Sequence, residues 1–153
     1  MIDRFERFSF AISEISHYWH KIATDEMGKY GLKGVHALYL TAMHRHPEGI
    51  TSAQLCEECG KDKADVSRCV SLMEKKGLVI REGVNKNMYR ALLKLTDTGT
   101  RAARQVSERA QIAVDVGGMG ISEEHRRILY DSLDVISANL HKASEKGLPE
   151  RAK

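Results

Sequence analysis

Residues 51–96 constrain this chain more than any other stretch. Two short helix patterns, a tight turn and two apolar runs follow one another there, and each boundary carries its own local chemistry. Thr51 and Gln54 have the spacing of a capping box, and Ile50 and Leu55 flank it as a hydrophobic staple. Gly60 suits the left-handed end of that helix. Asp62 caps a second helix whose last turn holds Lys75 and Lys76 and which stops at Gly77. Residues 78–81 and 89–95 then read as antiparallel strands around the polar loop 82–88. The pattern predicts a helix-turn-helix followed by a β-hairpin wing.

The second helix has two distinct faces. At about 100° per residue, Val66, Cys69, Val70 and Met73 gather on one side, while Ala64, Ser67, Arg68, Ser71 and Lys75 gather on the other. The outer set is small, hydroxylic and basic. Such a face suits a DNA major groove: small residues permit close approach, hydroxyls donate or accept, and arginine can hold guanine O6 and N7 together. A generic solvated helix would carry more glutamate–lysine pairs, and Glu74 is the one glutamate here. Lys61, Lys63, Lys75, Lys86 and Arg90 are the candidate phosphate contacts, with Asn85 and Asn87 as loop hydrogen-bonders. Charge distribution agrees. Residues 61–90 contain eight basic and four acidic residues, leaving sixteen basic and seventeen acidic for the rest of a chain whose net charge is +3.

The flanks read as long helical arms. Phe5, Phe8, Ile12, Ile15, Trp19 and Ile22 recur at alternating three- and four-residue spacing, forming a seam on one face of a helix over residues 2–27. A narrow stripe of that kind is expected to pack against other helices, including those of a second subunit. Residues 34–46 form the next helix, stopped by Pro47, with Val35, Leu38 and Ala42 as its inward stripe. After the wing, Ala103, Val106, Ala110 and Ala113 make a smooth stripe that permits close helix approach. Gly117, Gly118 and Gly120 interrupt it. Ser122 caps the last helix, with Glu123 and Glu124 in its first turn, and Leu129, Leu133, Ile136, Leu140 and Ala143 form another seam. The expected fold is mainly α with a small β-hairpin wing. Dimerisation helices at 1–31 and 97–146 flank a core at 32–96, a tail covers 147–153, and residues 1–153 make one domain.

Other residues raise chemical alternatives. His17, Trp19, His20, His36 and Tyr39 are candidates to line a ligand pocket, with Tyr18 beside them. A His pair three residues apart can also hold a transition metal, although histidine and tyrosine more often serve as interfacial side chains with an apolar body and a polar tip. No metal or cofactor is expected. Cys56 and Cys59 form a C-x-x-C pair without a second ligand pair, so a zinc site is incomplete, while redox sensing involving Cys69 stays open as an alternative. The cysteine usage and the charged N-terminus point to a reduced, cytoplasmic protein. No apolar run approaches the roughly 20 residues of a bilayer span. No catalytic triad, nucleotide-binding loop or metal cluster has usable spacing, so an enzyme is not expected.

The run TSAQLCEECGKDKADVSRCVSLMEKKGLVIREGVNKNMYRALLKLTDTG resembles the DNA-binding core of the MarR family of bacterial transcriptional regulators. Leu95, Thr96 and Gly99 match the L-T-x-x-G with which that family leaves the wing. ISEEHRRILYDSLDVISANL is similar to its terminal helix, so the resemblance spans residues 5–145. It implies a sequence-specific regulator, with repression as the expected output, bound as a homodimer to a pseudo-palindromic double-stranded operator. It also implies release by a small aromatic ligand held between arms and reader. Where the family carries D-x-R before the second wing strand, this chain has Asn87, Met88 and Tyr89, with Arg90 one residue later. Two alternatives stay open on these residues: a winged-helix protein-interaction module without DNA affinity, and a thiol- or metal-sensing regulator.

Overall fold

The computed structural model describes residues 3–84 and 87–149. Its elements follow in the order α1 (Arg4–Gly28), α2 (His36–His44), β1 (Ile50–Thr51), α3 (Ser52–Cys59), α4 (Lys63–Lys75), β2 (Val79–Val84), β3 (Asn87–Leu95), α5 (Asp97–Gly117) and α6 (Glu123–Lys146). Two compact units result, Met1–Ala113 and Val114–Lys153.

The local signals around the turn act as their chemistry dictates. Thr51 Oγ1 accepts the Gln54 N–H at 3.2 Å, and Gln54 Oε1 accepts the Thr51 N–H at 3.0 Å, completing the capping box. Gly60 adopts a left-handed φ of 59° and lets the Lys61 N–H return to the Cys56 carbonyl. Asp62 accepts the Asp65 N–H at 2.7 Å and starts α4 two residues after α3 has closed. Val66, Cys69, Val70 and Met73 of α4 are buried, the four residues its periodicity assigns inward.

Behind these helices, one core joins Met27, Leu40, Met43, Ile50, Leu55, Val66, Val70, Met73, Leu93, Ala103 and Val106. Each large apolar side chain withdrawn fully from water contributes about 1.5–3 kcal/mol. In α2 the inward stripe differs from expectation. Leu38 is 43% exposed, while Ala42 is buried together with His36, Tyr39, Leu40 and Met43. HALYLTAMH is apolar around most of its circumference, so its rotation is set by the helices packed on it and not by its own period.

The sheet holds a third strand in addition to the expected hairpin. Ile50 and Thr51 pair antiparallel with Leu93 and Leu92, giving the order β1-β3-β2. On the other side, Val79 pairs with Leu95 and Arg81 with Leu93, and a bulge lies between Glu82 and Val84. The strands alternate as a half-buried sheet requires, with Val79, Ala91 and Leu93 inside and Ile80 outside.

The sheet meets α5 at Thr96. Its hydroxyl donates to the Gly77 carbonyl at 2.6 Å and accepts the Gly99 N–H at 3.0 Å, while its own N–H donates to the Leu78 carbonyl. A Cβ on Gly99 would lie 2.0 Å from that same Leu78 oxygen, so no larger residue fits without moving backbone. The threonine and glycine of the L-T-x-x-G signature are thereby one packing unit.

In the second unit, Ser122 accepts the His125 N–H and Arg126 Nη2 donates to the Gly118 carbonyl at 3.3 Å, closing the turn before α6. No residue of α6 is buried: Leu129, Leu133 and Leu140 all face outward. In the first unit, α1 is similar, with Phe5 71% and Ile15 69% exposed and only Met27 buried.

Two measurements test this construction. Gly99→Ala should cost about 2–3 kcal/mol in urea denaturation, the upper range for overpacking, because the obstructing atom is backbone; a loss within a few tenths would contradict the close approach. The second concerns His36. Burial pushes its imidazole below the usual histidine value, against the opposing pull of its hydrogen bond with Lys33. The unfolded chain takes up this proton near about pH 6.5 while the native state resists it, so stability is full above that pH and falls as pH drops through it. Glu26 and Glu58 are held low by their cationic neighbours and lose their contribution only at more acidic pH. Denaturation midpoints followed from about pH 7.5 to 5.5 should therefore fall in the parent and flatten in His36→Gln. An unaltered slope would remove His36 from the response.

Candidate nucleic-acid interface

Burying Val66, Cys69, Val70 and Met73 leaves α4 no choice about its other face. Ala64, Ser67 and Arg68 are exposed, Ser71 is half-buried, and Lys61, Lys63 and Lys75 stand out in solvent. Arg90 is exposed at the root of β3. Lys86 lies outside the described residues, as does Asn85.

The predicted residues fall into two groups. Lys63, Ser67 and Arg90 meet along an open groove of about 530 Å³ between α4, the start of α3 and the sheet. Ser52, Ala53 and Arg81 also line it, and sequence reasoning did not single these out. Arg81 is held by Glu74 at 2.9 Å. Among the described residues, Lys63 and Arg90 have no carboxylate partner, and no acid lines the groove. Ser52 and Ala53 had a signal available: both sit in the first turn of a helix capped by Thr51, where small side chains leave backbone N–H groups open to an anion. Arg81 had none, because its pairing with Glu74 depends on how β2 turns back along α4.

Outside the groove, Arg68 Nη2 lies 3.5 Å from Asp65 Oδ1, with the arginine side chain 71% exposed. The remaining Asp65 oxygen, Oδ2, accepts the Tyr39 hydroxyl at 2.9 Å. Tyr39 is fully buried, and burial followed by this hydrogen bond to Asp65 pushes its phenol well above the usual tyrosine range. It stays protonated and acts as a donor.

The five candidate pocket residues are not brought around one cavity. A small cavity of about 70 Å³ lies among α1, α2 and α5, lined by Trp19, Met27, Ala37, Val106 and Ala110, with the Glu26–Arg109 ion pair of 3.2 Å at its edge. Trp19 is the one member of the five there. His17 is exposed with its ring against Tyr18, and His20 is exposed with Nδ1 2.6 Å from the Ser16 carbonyl. His36 and Tyr39 belong to the core. No group of three or more metal-ligating side chains occurs among the described residues.

The cysteines are all free. Burial raises the thiols of Cys59 and Cys69 above the usual cysteine value, which keeps them protonated and poorly nucleophilic. Among the described residues no helix is long and apolar enough to cross a membrane.

A sequence search of curated proteins finds no match. Residues 30–87 match the model of the MarR family. Solved structures agree in fold at low identity. A MarR protein from Peptoclostridium difficile is similar with a TM-score of 0.83 at 17% identity, covering 95% of this chain and 96% of its own. A protein of Listeria monocytogenes described as a MarR-family transcriptional regulator, complexed with 26mer DNA, gives 0.80 at 22% identity over 99% and 100% of the two chains. A MarR transcriptional regulator from Methanosarcina mazei Go1 gives 0.79 at 20% identity over 93% and 94%. Residues 30–87 of this chain thus match the MarR-family model, and the chain has the fold of solved MarR-family regulators.

Proposed function

We propose that this chain is a sequence-specific, double-stranded-DNA-binding regulator of transcription, acting in the cytoplasm as a homodimeric repressor. One observation carries the reading: the face of α4 that the core leaves over is small, hydroxylic and basic, and it borders a groove whose charged lining is entirely cationic. Ser67, Arg68 and Ser71 read base edges. Ala64 lets the helix backbone approach, and Lys61, Lys63, Lys75 and Arg90 hold phosphates. The DNA complex of the Listeria relative supports this use of the fold.

Dimerisation follows from what each unit leaves uncovered. The apolar seams of α1 and α6 face solvent in one chain, and a second copy would bury them. Two copies of α4 then enter successive major grooves about one helical turn apart, on a site with matching two-fold symmetry. A small aromatic effector, bound between arm and reader, alters the spacing of the two α4 helices. It does so only through unequal affinity for the bound and released arrangements.

Duplexes selected from a random pool, then titrated by fluorescence anisotropy, test the reader. Arg68→Ala should weaken binding by about 1–3 kcal/mol and relax one position of the site, whereas Lys63→Ala should weaken all sequences alike and lower the salt slope by about one. Unchanged affinity in both variants would sink the assignment of α4. Sedimentation tests the arms separately: a dimer is expected at micromolar concentration, and a stable monomer would contradict it.

A further inference from the structure

Arg68 is connected to the centre of the molecule. Tyr39 of α2 is fully buried, and its hydroxyl reaches Asp65 in the first turn of α4, 26 residues away in sequence. The two Asp65 oxygens are divided between opposite directions. Oδ2 takes the phenol from the core, and Oδ1 faces the Arg68 guanidinium one turn further along the exposed surface. The Asp65 backbone is fixed as well, since its N–H is held by Asp62.

An ion pair three residues apart on a helix surface is ordinarily weak, because two mobile side chains must be ordered to form it. Here one of the two is already ordered. The buried phenol sits on a different helix and donates to this carboxylate, so it restrains the carboxylate's rotamer before the arginine arrives. The arginine is then drawn toward one direction instead of ranging over nearby phosphates. Bidentate recognition of a guanine edge depends on the orientation of the guanidinium fork, so such a restraint bears on discrimination more than on overall affinity.

We propose that Tyr39 and Asp65 are positioning residues for Arg68 and set the base preference at the position Arg68 reads, although Tyr39 lies wholly inside the protein. The proposal rests on α4 being the reading helix, as proposed above. Two substitutions divide the contact. Tyr39→Phe keeps the ring in the core and removes the donor; Asp65→Asn keeps an oxygen for the phenol and removes the charge that faces Arg68.

The experiment is selection from a random duplex pool with the full-length parent, Tyr39→Phe, Asp65→Asn and Arg68→Ala, followed by titration of the selected duplex and its single-base-pair variants. Arg68→Ala should lose preference at one symmetric pair of positions. Tyr39→Phe and Asp65→Asn should lose about threefold or more of the preference at that same pair, without a loss of affinity for a scrambled duplex, and Tyr39→Phe should add nothing once Arg68 is alanine. A purely structural role would lower preference evenly along the site and persist in the Arg68→Ala background, which would overturn the proposal. Retained preference in Tyr39→Phe and Asp65→Asn, with loss in Arg68→Ala, would overturn positioning and leave DNA reading intact. A parent that selects no sequence would overturn the functional reading and this inference with it. If Tyr39→Phe does not fold, Asp65→Asn decides between the same outcomes.

Discussion

The contact on which the helix-turn-helix depends is the closure of Thr96 and Gly99 on Gly77 and Leu78. Thr96 donates its hydroxyl to Gly77, two residues past α4, and its N–H to Leu78, just before β2, while Gly99 presses its Cα side against the Leu78 carbonyl. The last residue of β3 lies immediately before this knot and the first turn of α5 immediately after it. Four elements therefore leave one point with little freedom between them. Packed interiors resist gradual bending, so the relative placement of α4, β2, β3 and α5 is set largely at this point.

Electrostatic pairing complements this closure by removing acids from the groove. Glu58 is held by Arg45 and His46 at 3.0 and 2.6 Å, fastening α3 to the end of α2. Glu74 holds Arg81, and Glu82 holds Lys94 across the sheet at 2.8 Å. Pairs this exposed contribute little to stability, about 0–1 kcal/mol each. Their consequence is spatial. Each of these carboxylates is engaged by a cation and none lines the groove, where Lys63 and Arg90 have no carboxylate partner among the described residues.

What the sequence discloses here is what short-range chemistry decides. The Thr51–Gln54 box, the left-handed Gly60, the Asp62 cap and the inward face of α4 are each settled within a few residues, and each is legible. The rotation of α2 is not, because Leu38 and Leu40 are equivalent until α1, α4 and the sheet choose between them. Nor is β1: two residues that read as the approach to a helix become a strand only because Leu92 and Leu93 arrive beside them from 41 and 43 residues further on. The candidate site divides the same way. Ser67 and Arg68 follow from periodicity, whereas Tyr39 and Asp65 are joined by folding alone. Lys86 and the wing tip fall outside the described residues.

The small cavity among α1, α2 and α5 limits how an effector could act through this framework. An engineered apolar cavity that accepts benzene measures about 150 Å³, and the space beside Trp19 is about 70 Å³. An aromatic ring therefore exceeds this space, and one entering here would have to displace α1 or α5 from α2. Binding to a wider arrangement alone would supply the unequal affinity that a population shift requires. Val106 lines the cavity and belongs to the same core as Val66, Val70 and Met73, and α5 begins at the Thr96 closure. The cavity and the Thr96 closure therefore lie on one helix, α5, whose inner residues share a core with α4.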